Sequence, residues 1–287
     1  MTFDCTNSFL CSHELSLGAI LDSIKAEKPL VHCITNYVTV NDVANIILAV
    51  GALPVMAHDV KETAEITANA NCLVLNLGAT EYYEAMKISA QTASSLGIPI
   101  IVDPVGAGAS TYRRNFCYEL LENCNVTAVR GNHAEIAALI SNKKTARGVD
   151  SSDSFSFDKL VSQGSRSEFE DRLKGFAESY GVVLAASGSN DFIISPSRVV
   201  SLEGGSSMMS LVTGTGCMSA GVLGAFAGGA SCLLSGDFDS GAAFDVTYAS
   251  SQFMKTIGGL ANSKVIEREE GPSSFKTHLI DFAYLAR

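Results

Sequence analysis

The sequence predicts an α/β fold in which helices cover both faces of a mainly parallel central sheet. Short apolar runs alternate with longer amphipathic segments along much of the chain. This alternation is typical of parallel strands that are joined by helical crossovers. Polar residues directly follow several of the apolar runs. Because ligands of such sheets bind at the carboxyl ends of the strands, these polar residues are expected to meet at one edge.

The predicted strands are the apolar runs, and helical periodicity occupies the intervals between them. Residues 80–96 carry apolar side chains at helical spacing, and Gly97 is placed to end that helix. Residues 167–181 repeat the pattern, with a capping-box pair at the start and a glycine at the end. The predicted strands are LVHCI (30–34), CLVLNLG (72–78), IPIIVDP (98–104), NVTAVRG (125–131) and VVLAAS (182–187).

The domain organisation is inferred from the length of the chain and from its lack of internal repeats and linkers. A chain of 287 residues can form one large α/β domain or two smaller ones. It has no visible repeat and no linker that demands a boundary, so we predict a single domain over residues 1–287. The serine-rich, aperiodic segment 150–167 is predicted to be an exposed loop.

Charge and cysteine usage restrict the partners and the compartment. The net charge is −10, and basic residues never exceed two in a row, which argues against nucleic acid and anionic membranes as main partners. The eight cysteines show neither a CxxC pair nor zinc-ligand spacing, and several lie in apolar runs. Free thiols in a reducing cytoplasm are therefore expected. The acidic start, MTFDC, is unlike a secretory signal.

One stretch, residues 204–236, contains no charged residue, and residues 220–234 within it are strongly apolar. That apolar part is rich in glycine and is followed by aspartates rather than by the basic residues that flank membrane spans. We therefore expect a helix buried in a protein core here, with a membrane span as the alternative.

A glycine loop precedes that uncharged helix and is the first candidate for a binding site. Thr213, Gly214, Thr215 and Gly216 form either a simple turn or an anion-binding loop, in which the amides and dipole of the following helix attract negative charge. The next residue, Cys217, admits three roles. It is a small buried residue, a thiolate favoured by the helix N-terminus, or a first-turn neighbour of a bound anion.

Three charged residues at predicted strand ends are further candidates. Asp103 ends the apolar run IIVD, where it either starts a turn or faces a metal ion or phosphate. Glu135 stands three residues after Asn132 and either caps a helix or serves the site. Arg130 is the single charge in its apolar strand, and either a phosphate or Asp103 would pair with it.

Taken together, these stretches resemble the hydroxyethylthiazole kinases, a family of the ribokinase-like superfamily. The matching pieces occur in family order and cover nearly the whole chain, and the combination of DPVGAGA, RGN-x-x-E and VTGTGCM is specific. The pieces are VHCITNYVTVNDVAN (31–45), GALPVMAHDVKE (51–62), LVLNLG (73–78), IIVDPVGAGAS (100–110), VRGNHAEIAAL (129–139), GVD (148–150), VTGTGCMSA (212–220) and GPSSF (271–275).

The resemblance implies transfer of the γ-phosphoryl group of ATP to the hydroxyl of 4-methyl-5-(2-hydroxyethyl)thiazole, in thiamine salvage. It implies that Arg130 and Ser187 contact ATP, with Asn36 as a neighbour of the phosphates. The loop of Thr213, Thr215 and Gly216 would hold the transferred phosphoryl group. Such chemistry asks mainly for positioning and charge stabilisation, which a helix N-terminus, an arginine and Mg²⁺ supply.

The resemblance also assigns the acceptor side of the site. Met56 and Gly214 would contact the thiazole, while Asp103 and Glu135 would manage Mg²⁺ and phosphate, directly or through water. Cys217 stands where sugar kinases of the superfamily carry a catalytic aspartate, beside the attacking hydroxyl. The family further implies a homotrimer with active sites between subunits.

The sequence departs from the family pattern at one point, which leaves rival functions open. The family usually reads V-T-G-E where residues 186–189 read Ala-Ser-Gly-Ser. Ser187 keeps the hydroxyl, but Ser189 lacks the carboxylate, so nucleotide affinity or metal preference is expected to differ. The alternatives are a hydroxymethylpyrimidine kinase or other small-alcohol kinase, an acyl transferase or hydrolase that uses Cys217, and a non-catalytic thiazole- or nucleotide-binding protein.

Overall fold

The computed structural model describes residues 15–141, 168–234 and 238–287. Its centre is an eight-stranded sheet with the order β2-β1-β3-β4-β5-β6-β7-β8. The strands from β2 to β6 are parallel, and β7 and β8 extend the sheet as an antiparallel hairpin. The strands are β1 (Leu30–Ile34), β2 (Leu53–Val55), β3 (Cys72–Asn76), β4 (Ile100–Asp103), β5 (Ala128–Asn132), β6 (Val183–Ser187), β7 (Asp191–Ile194) and β8 (Val199–Leu202).

The α-helices of the described segments pack on the two faces of this sheet. Short 3₁₀ turns lie at Thr80–Tyr82 and Ser207–Leu211. The helices are α1 (Leu17–Glu27), α2 (Val40–Val50), α3 (Thr63–Ala68), α4 (Tyr83–Leu96), α5 (Thr111–Asn123), α6 (His133–Ile140), α7 (Glu168–Tyr180), α8 (Thr215–Leu233), α9 (Ser240–Glu267) and α10 (Pro272–Leu285).

Two hydrophobic cores form because successive side chains of each central strand point to opposite faces. On β3, Cys72 and Val74 join the core that contains α1, α2, α8, α9 and α10. Leu73 and Leu75 of the same strand join the core that contains α4, α5, α6 and α7. Burial on both faces explains why the central strands are continuous apolar runs instead of alternating ones.

Helix α8 forms the centre of the first core, and its packing there fixes the position of its N-terminus. It is apolar on every side and contacts α1, α2 and α9 as well as the strands. Its glycines permit this close packing. A Cβ at Gly224 would lie 2.4 Å from Cγ2 of Val74, and one at Gly229 would lie 2.6 Å from Cγ1 of Ile24. The helix therefore lies directly against the sheet.

The same helix settles the interpretation of the uncharged stretch. Within the described ranges, Thr215–Leu233 is the one helix long and apolar enough to cross a membrane. Of its most apolar 18 residues, 78% are buried inside the protein. Its apolar residues are thus covered by the protein's own helices and strands. The expectation of a core helix is confirmed.

The structure confirms the predicted fold class and the five predicted strands, with ends that differ by up to three residues. The helix predicted over 80–96 begins as a 3₁₀ turn and ends at Gly97, whose φ is +69°. The helix predicted over 167–181 is α7, and its proposed cap at Ser167 lies outside the described residues, as does the predicted loop 150–167. Strands β2, β7 and β8 were not predicted. Each has only three or four residues, too few for a clear pattern.

Candidate active site

The carboxyl ends of three central strands and the N-terminus of α8 surround one cavity of about 840 Å³. Asp103 ends β4, Arg130 lies near the end of β5, and Ser187 ends β6. All three line the cavity together with Glu135 and the loop residues Gly214, Thr215, Gly216 and Cys217. Residues far apart in the chain therefore converge at the edge where a parallel sheet presents its ligand.

The glycine loop is shaped to expose backbone amides to the cavity. Gly214 has a φ of +87°, and a Cβ there would lie 2.8 Å from Cγ2 of Thr39, so any other residue would strain the backbone and displace Thr39. The helix begins at Thr215, and the amides of its first turn have no acceptor within the helix. These amides and the helix dipole together favour a bound anion.

The hydroxyl groups of this loop are placed differently from its backbone amides. Oγ1 of Thr215 donates to the carbonyl oxygen of Met209 at 2.8 Å, so this hydroxyl stabilises the loop. Thr213 does not line the cavity. The anion-binding groups of the loop are therefore mainly its backbone amides.

Arg130 joins the glycine loop to the end of β6. Its Nη1 donates to the carbonyl oxygen of Gly216 at 2.9 Å, and its Nη2 donates to Oγ of Ser187 at 3.0 Å. These contacts, and not a direct pairing with Asp103, hold the guanidinium at the cavity wall. The charge of Arg130 lowers the pKa of Asp103, although burial raises that pKa by a larger amount. Arg130 thus adds a fixed positive charge next to the amides of α8.

A cluster of polar side chains surrounds the buried carboxylate of Asp103. Nδ2 of Asn76 donates to Oδ2 of Asp103 at 2.8 Å and to Sγ of Cys217 at 3.2 Å. Oδ1 of Asn76 accepts from the amide of Gly78 at 3.0 Å and from Nδ2 of Asn36 at 3.2 Å. Since a backbone amide can only donate, this contact fixes which way the Asn76 side chain faces.

Burial dominates the titration of the two reactive groups in this cluster. It raises the pKa of Asp103 from 3.8 to about 7, although Arg130 and the hydrogen bonds from Cys217 and Asn76 act in the opposite direction. Burial also raises the pKa of the Cys217 thiol, and the neighbouring Asp103 charge raises it further. Of the three roles left open for Cys217, the thiolate is therefore disfavoured, because desolvation and the adjacent carboxylate both oppose ionisation of the thiol.

Glu135 caps a helix, which is one of the two roles predicted for it, and it also lines the cavity. It forms a reciprocal capping box with Asn132 at the start of α6, and its Oε1 accepts from the amide of Gly106 at 3.0 Å. Its carboxylate also lines the cavity near Asp103, where it adds to the effect of burial in raising the pKa of that residue. Two carboxylates at one cavity suit Mg²⁺, which uses one or two protein carboxylates and takes its other ligands from phosphates and water. No larger cluster of metal-ligating side chains exists in the described segments.

Three of the predicted site residues, Thr213, Met56 and Asn36, lie outside the cavity wall of the single chain. Met56 follows β2, is half-buried, and packs against the first core. The ring of buried His32 contacts the carbonyl oxygen of the next residue, Ala57, at 2.8 Å, so this histidine supports the loop that carries Met56. Asn36 also lies off the wall, but it contacts the site through Asn76 and Cys217.

Sequence reasoning missed two residues that the structure places at the site. Asn76 is the one polar residue at the end of an otherwise apolar strand, which was a usable signal. Lys255 lines the cavity from α9 and contacts the turn after β6. It lies in the middle of a 28-residue helix, and nothing in the local pattern distinguishes it.

The raised pKa of Asp103 predicts a stability effect that depends on pH. Folding raises the pKa, so the buried carboxyl costs nothing below about pH 4, an increasing amount from pH 4 to 7, and its full cost above pH 7. Asp103→Asn keeps an oxygen that can accept from Asn76. We expect this variant to be more stable than the parent at pH 8, on the order of 2 to 4 kcal/mol, with the difference vanishing towards pH 4.

Denaturant unfolding of parent and variant without metal or nucleotide at pH 4, 6 and 8 measures this difference. A variant that is equally stable or less stable at pH 8 would show that burial of the ionised Asp103 carboxylate does not lower the free energy of unfolding.

Comparison with known proteins shows the family to which this chain belongs. The family model described as "Hydroxyethylthiazole kinase family" matches residues 21–285. A hydroxyethylthiazole kinase of Methanocella arvoryzae is 40% identical over 271 residues, which cover 94% of this chain and 92% of that protein.

Solved structures agree with this match. The structure of a hydroxyethylthiazole kinase protein from Pyrococcus horikoshii is similar with a TM-score of 0.76 and 28% identity, covering 94% of this chain and 92% of that one. A ribokinase-like superfamily protein from Enterococcus faecalis is similar at 12% identity, with a TM-score of 0.54 and coverage of 90% and 88%, and this likeness concerns the fold alone. The fold is ribokinase-like, and the chain belongs to the hydroxyethylthiazole kinase family.

Proposed function

We propose that this protein transfers the γ-phosphoryl group of ATP to the hydroxyl of 4-methyl-5-(2-hydroxyethyl)thiazole, a step of thiamine salvage. The observation that carries the proposal is the anion site: the backbone amides at the start of α8, beside which Arg130 donates to the carbonyl oxygen of Gly216 at 2.9 Å. This site opens into a cavity large enough for a nucleotide. Family membership supplies the reaction, since kinases of this family use ATP.

On the nucleotide side, Arg130 and Ser187 bind the phosphates of ATP. Their mutual hydrogen bond at 3.0 Å presents the guanidinium and the hydroxyl at the same wall of the cavity. The amides of Thr215, Gly216 and Cys217 then receive the transferred phosphoryl group. Asn36 and Thr213 support this arrangement from behind the wall, Asn36 through its bond to Asn76 and Thr213 through the backbone of the loop. Charge stabilisation of this kind is the main requirement of phosphoryl transfer.

Asp103 and Glu135 are the residues that would hold Mg²⁺. When bound, the ion would neutralise charge on the phosphates. The chain's own contribution is to keep both carboxylates in fixed positions, Asp103 through Asn76 and Glu135 through the amides of Gly106 and Asn132.

The acceptor hydroxyl would lie beside Cys217, with the thiazole against Gly214 and Met56. Because burial and Asp103 keep the Cys217 thiol protonated at neutral pH, its role is contact and not covalent attack. A loose transition state needs little base catalysis. The rival acyl transferase, which requires a thiolate, is therefore disfavoured by the raised pKa of Cys217.

We propose that the active protein is a homotrimer whose acceptor sites lie between subunits. Three exposed apolar side chains, Tyr37, Val38 and Leu211, flank the glycine loop, where the segment that carries Thr39 contacts Gly214. Met56 is half-buried and lies off the cavity wall of the single chain, which fits completion of the thiazole site by a second subunit. The six described free cysteines fit a cytoplasmic location, which we also propose.

The acceptor assignment is tested by ADP release. With saturating ATP and Mg²⁺, we expect the highest kcat/KM with the hydroxyethylthiazole, and lower values with hydroxymethylpyrimidine and with sugar alcohols. Met56 is a soft, adaptable wall for a sulfur heterocycle, which is the physical reason for this order. Equal or better turnover of the pyrimidine would identify the rival kinase, and nucleotide binding without any turnover would identify a binding protein.

The roles of Cys217 and Asp103 are separated by substitution. Cys217→Ala is expected to lower kcat/KM by at most the roughly 10²- to 10⁴-fold of a lost general base, and Cys217→Ser by less. Asp103→Asn is expected to cost at least as much activity as Cys217→Ala while the protein gains stability. Kinetics of the three variants with intact-mass analysis during turnover checks this order. A kinetically competent adduct on Cys217 would replace the proposed mechanism with a covalent one.

The assembly is tested by light scattering after size exclusion. We expect three times the mass of the 30.2 kDa chain. Tyr37→Asp is expected to reduce the mass and to raise KM for the thiazole, because it places a charge in the flanking apolar patch. Leu96→Asp is the matched control, since Leu96 is an exposed apolar residue at the far end of α4. A parent protein of single-chain mass with full activity would contradict the trimer.

A further inference from the structure

We propose that Lys255 is a positioning residue for the nucleotide: it holds the turn after β6 in the form that binds ATP. This inference rests on the proposed kinase function and adds a residue to its nucleotide side. Lys255 belongs to α9 and lies at the wall of the same cavity that Arg130 and the glycine loop line.

The side chain of Lys255 is almost completely buried, with 8% of the residue exposed. Its ammonium group donates to the carbonyl oxygen of Ser189 at 3.2 Å and to that of Gly204 at 3.1 Å. Its third partner is Oδ1 of Asp191, at 3.2 Å. An ammonium group has three donors, and here all three have acceptors. Lys255 therefore joins α9 to two loops of the cavity wall.

The turn that Lys255 holds, residues 187–191, is fixed from other directions as well. Its own Asp191 accepts from the amide of Gly188 at 3.0 Å. A ring nitrogen of His133 contacts the carbonyl oxygen of Asn190 at 2.9 Å. At its start, Ser187 accepts from Arg130. Since Ser187 and Arg130 are the proposed phosphate contacts, a displaced turn would move one of them relative to the other.

Lys255 also balances charge beside the nucleotide. Asp191 lines the cavity, and its side chain is only 15% exposed. Without the ammonium group, this carboxylate would face the polyphosphate with no cationic partner, and like charges at short range repel. The ion pair therefore removes a repulsion from the wall that receives ATP.

The anchoring contact does not involve the side chain of Ser189. The family pattern has a carboxylate at this position, but here Lys255 contacts the backbone carbonyl of residue 189 and takes its carboxylate partner from Asp191. The side chain at 189 is thus not needed to anchor the turn. A lysine–aspartate pair within the cavity wall carries out that role.

The experiment compares ADP binding by calorimetry, in the presence of Mg²⁺, for four proteins. They are the full-length parent, Lys255→Met, Lys255→Met combined with Asp191→Asn, and Lys264→Met. Methionine keeps most of the length of the side chain without its charge. In the double variant, the asparagine oxygen can still accept from the amide of Gly188. Lys264 is the matched control, because it lies on the same helix and pairs with Glu267 away from the cavity.

We expect Lys255→Met to raise the Kd for ADP about tenfold or more, because the turn loses its anchor and Asp191 its counter-charge. The double variant should fall between this value and that of the parent, and Lys264→Met should leave the Kd unchanged. In the coupled assay, KM for ATP should rise in the Lys255 variants, while KM for the thiazole and kcat change less than about threefold. A residue that only stabilised the fold would lower the melting temperature without this separation.

A change of less than about fivefold in the Kd of both Lys255 variants would overturn the proposal. An equal rise in KM for ATP and for the thiazole would overturn it too. If Lys255→Met does not fold, the double variant decides, since it leaves no unpaired charge in the wall. ADP binding does not involve the acceptor, so a parent that binds ADP but phosphorylates no thiazole would refute the proposed substrate and leave the test of Lys255 intact.

Discussion

The site depends on one packing constraint, the direct contact of α8 with the sheet. The helix lies so close to β3 that a Cβ at Gly224 would be 2.4 Å from Val74. This contact places the first turn of α8 at the edge where β4, β5 and β6 end, and Arg130 then links that turn to Ser187. A helix with side chains in place of these glycines would lie farther from the sheet, and its amides would no longer meet the strand ends. Apolar packing in the core thus determines the geometry of a polar site.

Charge is distributed unevenly around that site. Arg130 and the amides of α8 contribute positive potential to the cavity wall, whereas Asp103 and Glu135 contribute carboxylates to it. Because Asp103 is buried, its pKa of about 7 shows that its ionised form is costly in the protein alone. A cation bound at this carboxylate would relieve that cost, so part of the free energy that favours ion binding is already present in the fold. Active sites commonly carry such local strain, which the remainder of the fold supports.

The sequence permitted prediction of the fold class and the central strands because these strands are buried on both faces and form unmistakable apolar runs. Strands β2, β7 and β8, which lie at the two ends of the sheet, escaped prediction because they are short and give no clear pattern. Asp103 and Arg130 were found because each ends or interrupts an apolar run, and Cys217 because it follows the glycine loop, whereas Ser187 was assigned only by the family resemblance. Lys255 could not be found in this way, since its contacts with Ser189 and Gly204 arise only when α9 packs on the hairpin. Whether these residues have the proposed roles stays a prediction.

The buried thiols bear on how this protein tolerates oxidants. Thiolates, not thiols, react with peroxide and with alkylating reagents, and burial raises the pKa of Cys33, Cys72 and Cys117 as well as that of Cys217. A cysteine beside the reacting hydroxyl would be a point of weakness if it ionised readily, because one oxygen atom added to its sulfur would block the loop. Burial, together with the carboxylate of Asp103 next to Cys217, suppresses that ionisation. Asp103, one of the two carboxylates of the site, thereby also keeps the Cys217 thiol unreactive.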